Sequence, residues 1–144
     1  SPEQALPSIV VVLVWQALGF YIIIFLAGLE AIPVDFYEAA KIDGARTWDL
    51  FRHITLPLLN PTIVFLTVIG TISGIQVFTQ ILNMSFQGMG GPLDATKSLV
   101  LFIYQQGFQS FKMGYASAGT VVLFAIILVI TLIQLKVTTR RVEY

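Results

Sequence analysis

The sequence contains no cysteine, which excludes disulfides, thiolate catalysis and cysteine-based metal centres. It contains one histidine, His53, so no histidine pair can share a metal ion. Charge is scarce: 11% of residues are Asp, Glu, Lys or Arg, against about 25% in an ordinary soluble domain. Eight acids balance eight bases, which leaves no net positive charge to draw nucleic acid. No G-x-x-x-x-G-K-[ST] loop is present, so the chain has no P-loop for ATP. The run Gln87-Gly88-Met89-Gly90-Gly91-Pro92 is followed by no lysine and reads as a turn. The long uncharged runs hold neither an acid nor a histidine, which argues against a serine or aspartyl protease working inside a membrane. No basic stretch precedes the first apolar run, so the opening Ser1-Pro2-Glu3 is not a signal peptide; it reads as the start of a fragment.

What the chain has in excess is apolar surface. Hydrophobic residues make up 56%, with a mean hydropathy of +0.84. The charges fall in clusters, and the gaps between them are long. None occurs from Gln4 to Leu29, from Ile54 to Leu93, or from Met113 to Leu135. A bilayer core needs about 20 apolar helical residues. These gaps predict an all-α, polytopic transmembrane bundle with spans at about 8–29, 61–84 and 113–135. Pro57 and Pro61 are expected to break the start of the second gap. Residues 85–112 form a loop whose second part, Ala95 to Phe111, is rich in aromatics and predicts a short helix at the headgroup level. Lys41, Arg46 and Arg52 follow the first span, and Lys136, Arg140 and Arg141 follow the last. The positive-inside rule places residues 30–56 and the C-terminal tail in the cytoplasm.

The polar segment from Glu30 to His53 carries the most specific pattern. Asp35 and Glu38 have the spacing of a capping pair that starts a short helix, Phe36 to Ile42. Gly44 suits the left-handed conformation that ends one. Trp48, Phe51 and Ile54 recur every three residues as the apolar stripe of a second helix, which Pro57 is expected to stop. Ala39 and Ala40 leave one side of the first helix bare for close approach to a partner, and Glu38 offers a charge. Spacing alone leaves this open between a docking helix and an ordinary solvated loop.

Beyond that physical reading, the stretch Glu38-Ala39-Ala40-Lys41-Ile42-Asp43-Gly44-Ala45, with Phe51, Ile54, Leu56-Pro57 and Pro61, resembles the EAA loop of ABC importer permeases. Ile54-Thr55-Leu56-Pro57-Leu58-Leu59, Phe20-Tyr21, Leu26-Ala27-Gly28-Leu29 and Gly90-Gly91-Pro92 with Ala95-Thr96 are similar to the sugar-importer branch, of the MalF and UgpA kind. The usual threonine before the glycines is absent; Gln87-Gly88-Met89 stands there. The resemblance spans essentially the whole chain and makes it the C-terminal part of a permease of a bacterial or archaeal cell membrane. It implies that Glu38, Ala39, Ala40, Asp43, Gly44 and Ala45 seat a coupling helix in an ATPase subunit. It implies further partners: a second permease, two ATPase copies and an extracytoplasmic solute-binding protein. The chain itself would carry no cofactor and no catalysis, since ATP and magnesium would sit on the ATPases.

Within the second uncharged run, Gly70, Ser73, Gly74, Gln76 and Val77 belong to the stretch that the resemblance assigns to the path of a carbohydrate or related solute. Small and hydroxylated residues also serve helix packing in membranes, and both readings stand at this point. So do permeases for other solutes, such as amino acids or an oxyanion, and a non-transporting scaffold. The scaffold leaves the Glu38–Gly44 pattern without a purpose. Gly114 with Ala118, and Tyr115 with Gly119, predict close packing by the last span.

Overall fold

The computed structural model describes residues 2–85, 90–91 and 94–139, and among these every regular element is helical. The first charge-free run forms one helix, α1 (Pro2–Glu30), and the last forms another, α8 (Met113–Thr139). Both are long and apolar enough to cross a membrane. They carry no polar stripe, the pattern of helices that meet lipid and neighbouring helices on every side. Between them α5 (Asn60–Ile75) packs against α1 on one side and α8 on the other. The contacts are those of small residues. Against α1, a Cβ on Gly28 would come within 2.6 Å of Thr62 Oγ1 of α5; on α8, one on Gly119 would come within 3.0 Å of Ile103, which belongs to the segment Leu99–Tyr104. Gly114, in contrast, has open space around it, so only half of the expected close-packing pattern in the last span is used.

The middle span departs from the expected single helix over 61–84. After Ile75 the chain leaves helical geometry through Gln76 to Phe78 and resumes as the short α6 (Thr79–Met84). Alone, α5 reaches about 24 Å at 1.5 Å per residue, short of a hydrocarbon core of about 30 Å. The break is stabilised from outside the span. Val77 and Ile81 are buried with Ile9 and Leu101 in one apolar cluster. The Val77 carbonyl accepts a 2.6 Å hydrogen bond from the Ser98 hydroxyl. Backbone that leaves a helix at membrane depth needs such a substitute partner.

The aromatic segment after the glycines forms α7 (Leu99–Tyr104), which winds on as a wider π turn over Gln105–Gln109. It packs on α8. Two of its aromatics are used inside the bundle: Phe102 meets Tyr115 edge-on, and Tyr104 lies against Phe78 at 5.1 Å between ring centres. Phe108 and Phe111 remain exposed. The glycine-rich stretch 86–89, residues 92–93 and the tail bases Arg140 and Arg141 lie outside the described residues.

Candidate functional site: a cleft between two helices and an exposed loop

The loop after α1 forms α2 (Val34–Ile42) and α3 (Thr47–Leu50), joined at Gly44. The expected capping pair of Asp35 and Glu38 is not formed. Pro33 occupies the cap position and no side chain caps the helix, so Asp35 already lies inside the first turn. The cap bond occurs at the second helix instead, where the Arg46 backbone N–H donates to Asp49 Oδ2 at 3.1 Å. Gly44 behaves as its spacing requires, with φ at +83°. Its N–H donates to Lys41 O at 3.1 Å, and the Ala45 N–H donates to Ala40 O at 3.0 Å. This is a Schellman closure, in which Ala40, Gly44 and Ala45 lock the end of α2. A Cβ on Gly44 would meet nothing, so the constraint there is conformational rather than steric.

Pro57 does not stop the helix. After Leu50 the chain widens into a π turn, Phe51–Thr55, and runs on through α4 (Leu56–Leu58) before bending by 59° into α5. A proline ring in an α-helix clashes with the carbonyl four residues back. Winding the preceding turn wider gives it room, as π bulges do. Tyr37 on α2 reaches the end of this turn, with 3.0 Å between its hydroxyl and Thr55 Oγ1. Nothing in α2, α3, the π turn or α4 is buried. Glu38, Ala39, Asp43 and Gly44 are exposed, Ala40 and Ala45 half-buried. Ile42 and Trp48 stand out with 87% and 66% of their surface exposed. An apolar face of that kind on a charged loop has the character of a contact surface. His53 makes a local contact only, Nδ1 to Asp49 O at 3.1 Å.

The second candidate region is an open cleft of about 810 Å³ between α1 and the broken span. All five path residues expected from the sequence, Gly70, Ser73, Gly74, Gln76 and Val77, line it. Ser73, Gly74 and Gln76 are exposed there, whereas Val77 is buried behind the break. Gly70 has a packing reason as well: a Cβ would collide with the Tyr21 hydroxyl, which donates to Leu66 O at 3.2 Å. Opposite them, α1 contributes Gln16, Phe20 and Tyr21, and the break and α6 add Phe78, Thr79 and Gln80. Gln80 Nε2 donates to Gln16 Oε1 at 2.8 Å across the cleft. The family resemblance points only to the middle span. Gln16 was findable as the one amide inside the otherwise apolar run Ile9–Leu29, since polar groups in membrane helices face cavities. No Asp, Glu, Lys, Arg or His lies among the described residues of the lining.

The family described as "Binding-protein-dependent transport system inner membrane component" matches residues 2–143. This chain belongs to that family. Among curated members of this inner membrane component family, the chain is 44% identical to the probable ABC transporter permease protein YesP of Bacillus subtilis, over all of the chain and 46% of YesP. It is 40% identical to the putative ABC transporter permease protein ORF1 of a Caldicellulosiruptor strain, over 99% of the chain and 100% of that protein. It is 39% identical to the sn-glycerol-3-phosphate transport system permease protein UgpA of Brucella abortus, over 99% of the chain and 48% of UgpA. The chain spans about half the length of YesP and of UgpA. As in this permease family generally, the chain is a membrane component, and its relatives include sugar-transport permeases.

Proposed function

We propose that this chain is part of a permease subunit of an ATP-driven importer and lines the path of an uncharged, polyhydroxylated solute of the carbohydrate class. The cleft carries this reading. Its volume of about 810 Å³ suits a small solute. Its amides, hydroxyls and aromatic rings offer hydrogen bonds and stacking with no fixed charge. An amino acid or an oxyanion would have to shed its hydration there without an ionic partner, which is costly. Relatives named for arabinooligosaccharides and lactose support the carbohydrate class, and one named for sn-glycerol-3-phosphate marks the competing charged one.

In this reading the α2–α3 loop faces the cytoplasm, as does the C-terminal tail, and Glu38, Ala39, Ala40, Asp43, Gly44 and Ala45 dock on a nucleotide-binding subunit. The Schellman closure and the Tyr37–Thr55 bond make α2 stiff enough to carry motion into α5. ATP and magnesium are held by two ATPase copies, and this chain is not itself an enzyme. A second permease closes the other side of the path, and an extracytoplasmic binding protein delivers the solute. The test uses the full-length permease pair with its ATPase, comparing native protein with Glu38→Lys and Gly44→Pro. Loss of ATPase co-purification, or of solute-stimulated ATP hydrolysis, supports the loop assignment. Native binding and native coupling in both variants would overturn it.

A further inference from the structure

Ser98 stands between two groups that the fold leaves in need of a partner. Its hydroxyl hydrogen goes to the Val77 carbonyl at 2.6 Å, the carbonyl released where the middle span breaks. Its oxygen accepts from the Leu101 N–H at 3.1 Å and so caps α7. One side chain therefore closes the start of α7 and holds the segment Gln76–Phe78, whose side chains line the cleft. The segment just before Ser98 is itself stiff. Thr96 is 4% exposed, and both its N–H and its hydroxyl donate to Gly90 O, at 2.9 and 2.6 Å. Beyond Ser98, Leu101 is fully buried against Val77, Ile81 and Ile9.

We infer that Ser98 is a positioning residue for solute passage: by donating to Val77 O it sets the shape of the broken span where Gln76 meets the cleft. The inference rests on the reading of the cleft as a solute path. Three variants separate its two bonds. Ser98→Thr keeps both. Ser98→Ala removes both. Ser98→Asp keeps an acceptor for the α7 cap but, ionised, has no proton to give to Val77 O.

The experiment is solute uptake by the complete transporter in proteoliposomes, with Gly74→Leu run beside these variants. Gly74 has open space around it, so a side chain there enters the cleft without a clash. The expected result is a half-saturation constant raised by up to about tenfold, as loss of one part-buried hydrogen bond implies, in Ser98→Asp as in Ser98→Ala, with Ser98→Thr near native. A second readout needs no transport: maleimide labelling of Gln76→Cys in an otherwise cysteine-free permease, whose rate should change in Ser98→Asp and not in Ser98→Thr. Native half-saturation and native labelling in Ser98→Asp overturn the inference and reduce Ser98 to a helix cap. If Gly74→Leu also transports normally, the cleft reading itself fails. If Ser98→Asp does not assemble while Ser98→Thr does, the labelling rate in Ser98→Ala decides, and a native rate there overturns the inference.

Discussion

At one end of the bundle, Ser98, Thr96 and Leu101 close their bonds and their packing within the chain. At the other, α2 and α3 close their backbone bonds just as fully but bury none of their side chains. The contrast separates two kinds of order. The first end is held by tertiary contact, so substitutions there act on the fold. The loop end is held by local backbone closure and two side-chain bonds, Tyr37 to Thr55 and Asp49 to the Arg46 N–H, with none of its side chains fully buried, so substitutions there should disturb the core least.

The largest expected effect lies inside the bundle. Gly70→Ala drives a methyl into the Tyr21 hydroxyl, and overpacking of this kind costs about 1–3 kcal/mol. The cost should be read as a lower melting temperature of the detergent-solubilised permease. Tyr21→Phe removes the oxygen and leaves only an ordinary 3.4 Å contact with the ring, so Tyr21→Phe/Gly70→Ala should melt close to Tyr21→Phe alone. If Gly70→Ala melts like native protein, the close approach of α1 and α5 is wrong.

At the loop, Gly44→Ala forces a side chain into φ +83°, a strain of about 1–2 kcal/mol. Because α2 contributes nothing to the core, the melting temperature should stay put while affinity for the ATPase falls, by about tenfold for each 1.4 kcal/mol. A fall in melting temperature with native ATPase affinity would erase the distinction between the two ends.

Tyr37→Phe removes one half-buried hydrogen bond, worth about 0.5–1.5 kcal/mol. ATPase binding should be kept, and more ATP should be hydrolysed per solute moved. An unchanged ratio would detach α2 from the π turn. The smallest effect is expected where α8 meets α5. Gln134 Nε2 donates to Thr71 Oγ1 at 2.6 Å, and Gln134 Oε1 is buried without a partner. Gln134→Leu removes an orphaned acceptor along with the bond and should be nearly neutral. Thr71→Val strands the amide and should destabilise by about 1 kcal/mol, measured by the same melting assay.

The two outer spans were legible because a run without charge and of sufficient length has few alternatives in water or lipid. Gly44 was legible because its left-handed geometry is a local demand. The capping residue was misread: Asp35 and Glu38 have the right spacing, but Pro33 starts the helix ahead of them. The π turn and the broken span were hidden for a deeper reason. The π turn makes room for Pro57 in a way that spacing does not reveal, and the broken span depends on a partner distant in sequence, Ser98 for Val77. A proline at 57 reads as a stop only while the turn before it is assumed to be regular. Half of the cleft was missed for the same cause, since Gln16 lies 64 residues from the Gln80 it meets.

The π turn at Phe51–Thr55 also sets the rotational phase of α4 and α5. Each residue of an α-helix turns the chain by about 100°, and a turn closed five residues back holds one residue more than a regular one. The faces beyond it are therefore rotated by about that angle relative to Trp48 and Asp49. Regular winding of all five residues from Phe51 to Thr55 would swing Tyr37's anchor, the bend and the cleft-lining face of α5 by that angle, whereas deleting one of them would let the ladder close regularly with those faces kept in phase. In this segment of the chain, length is as much a specification as sequence.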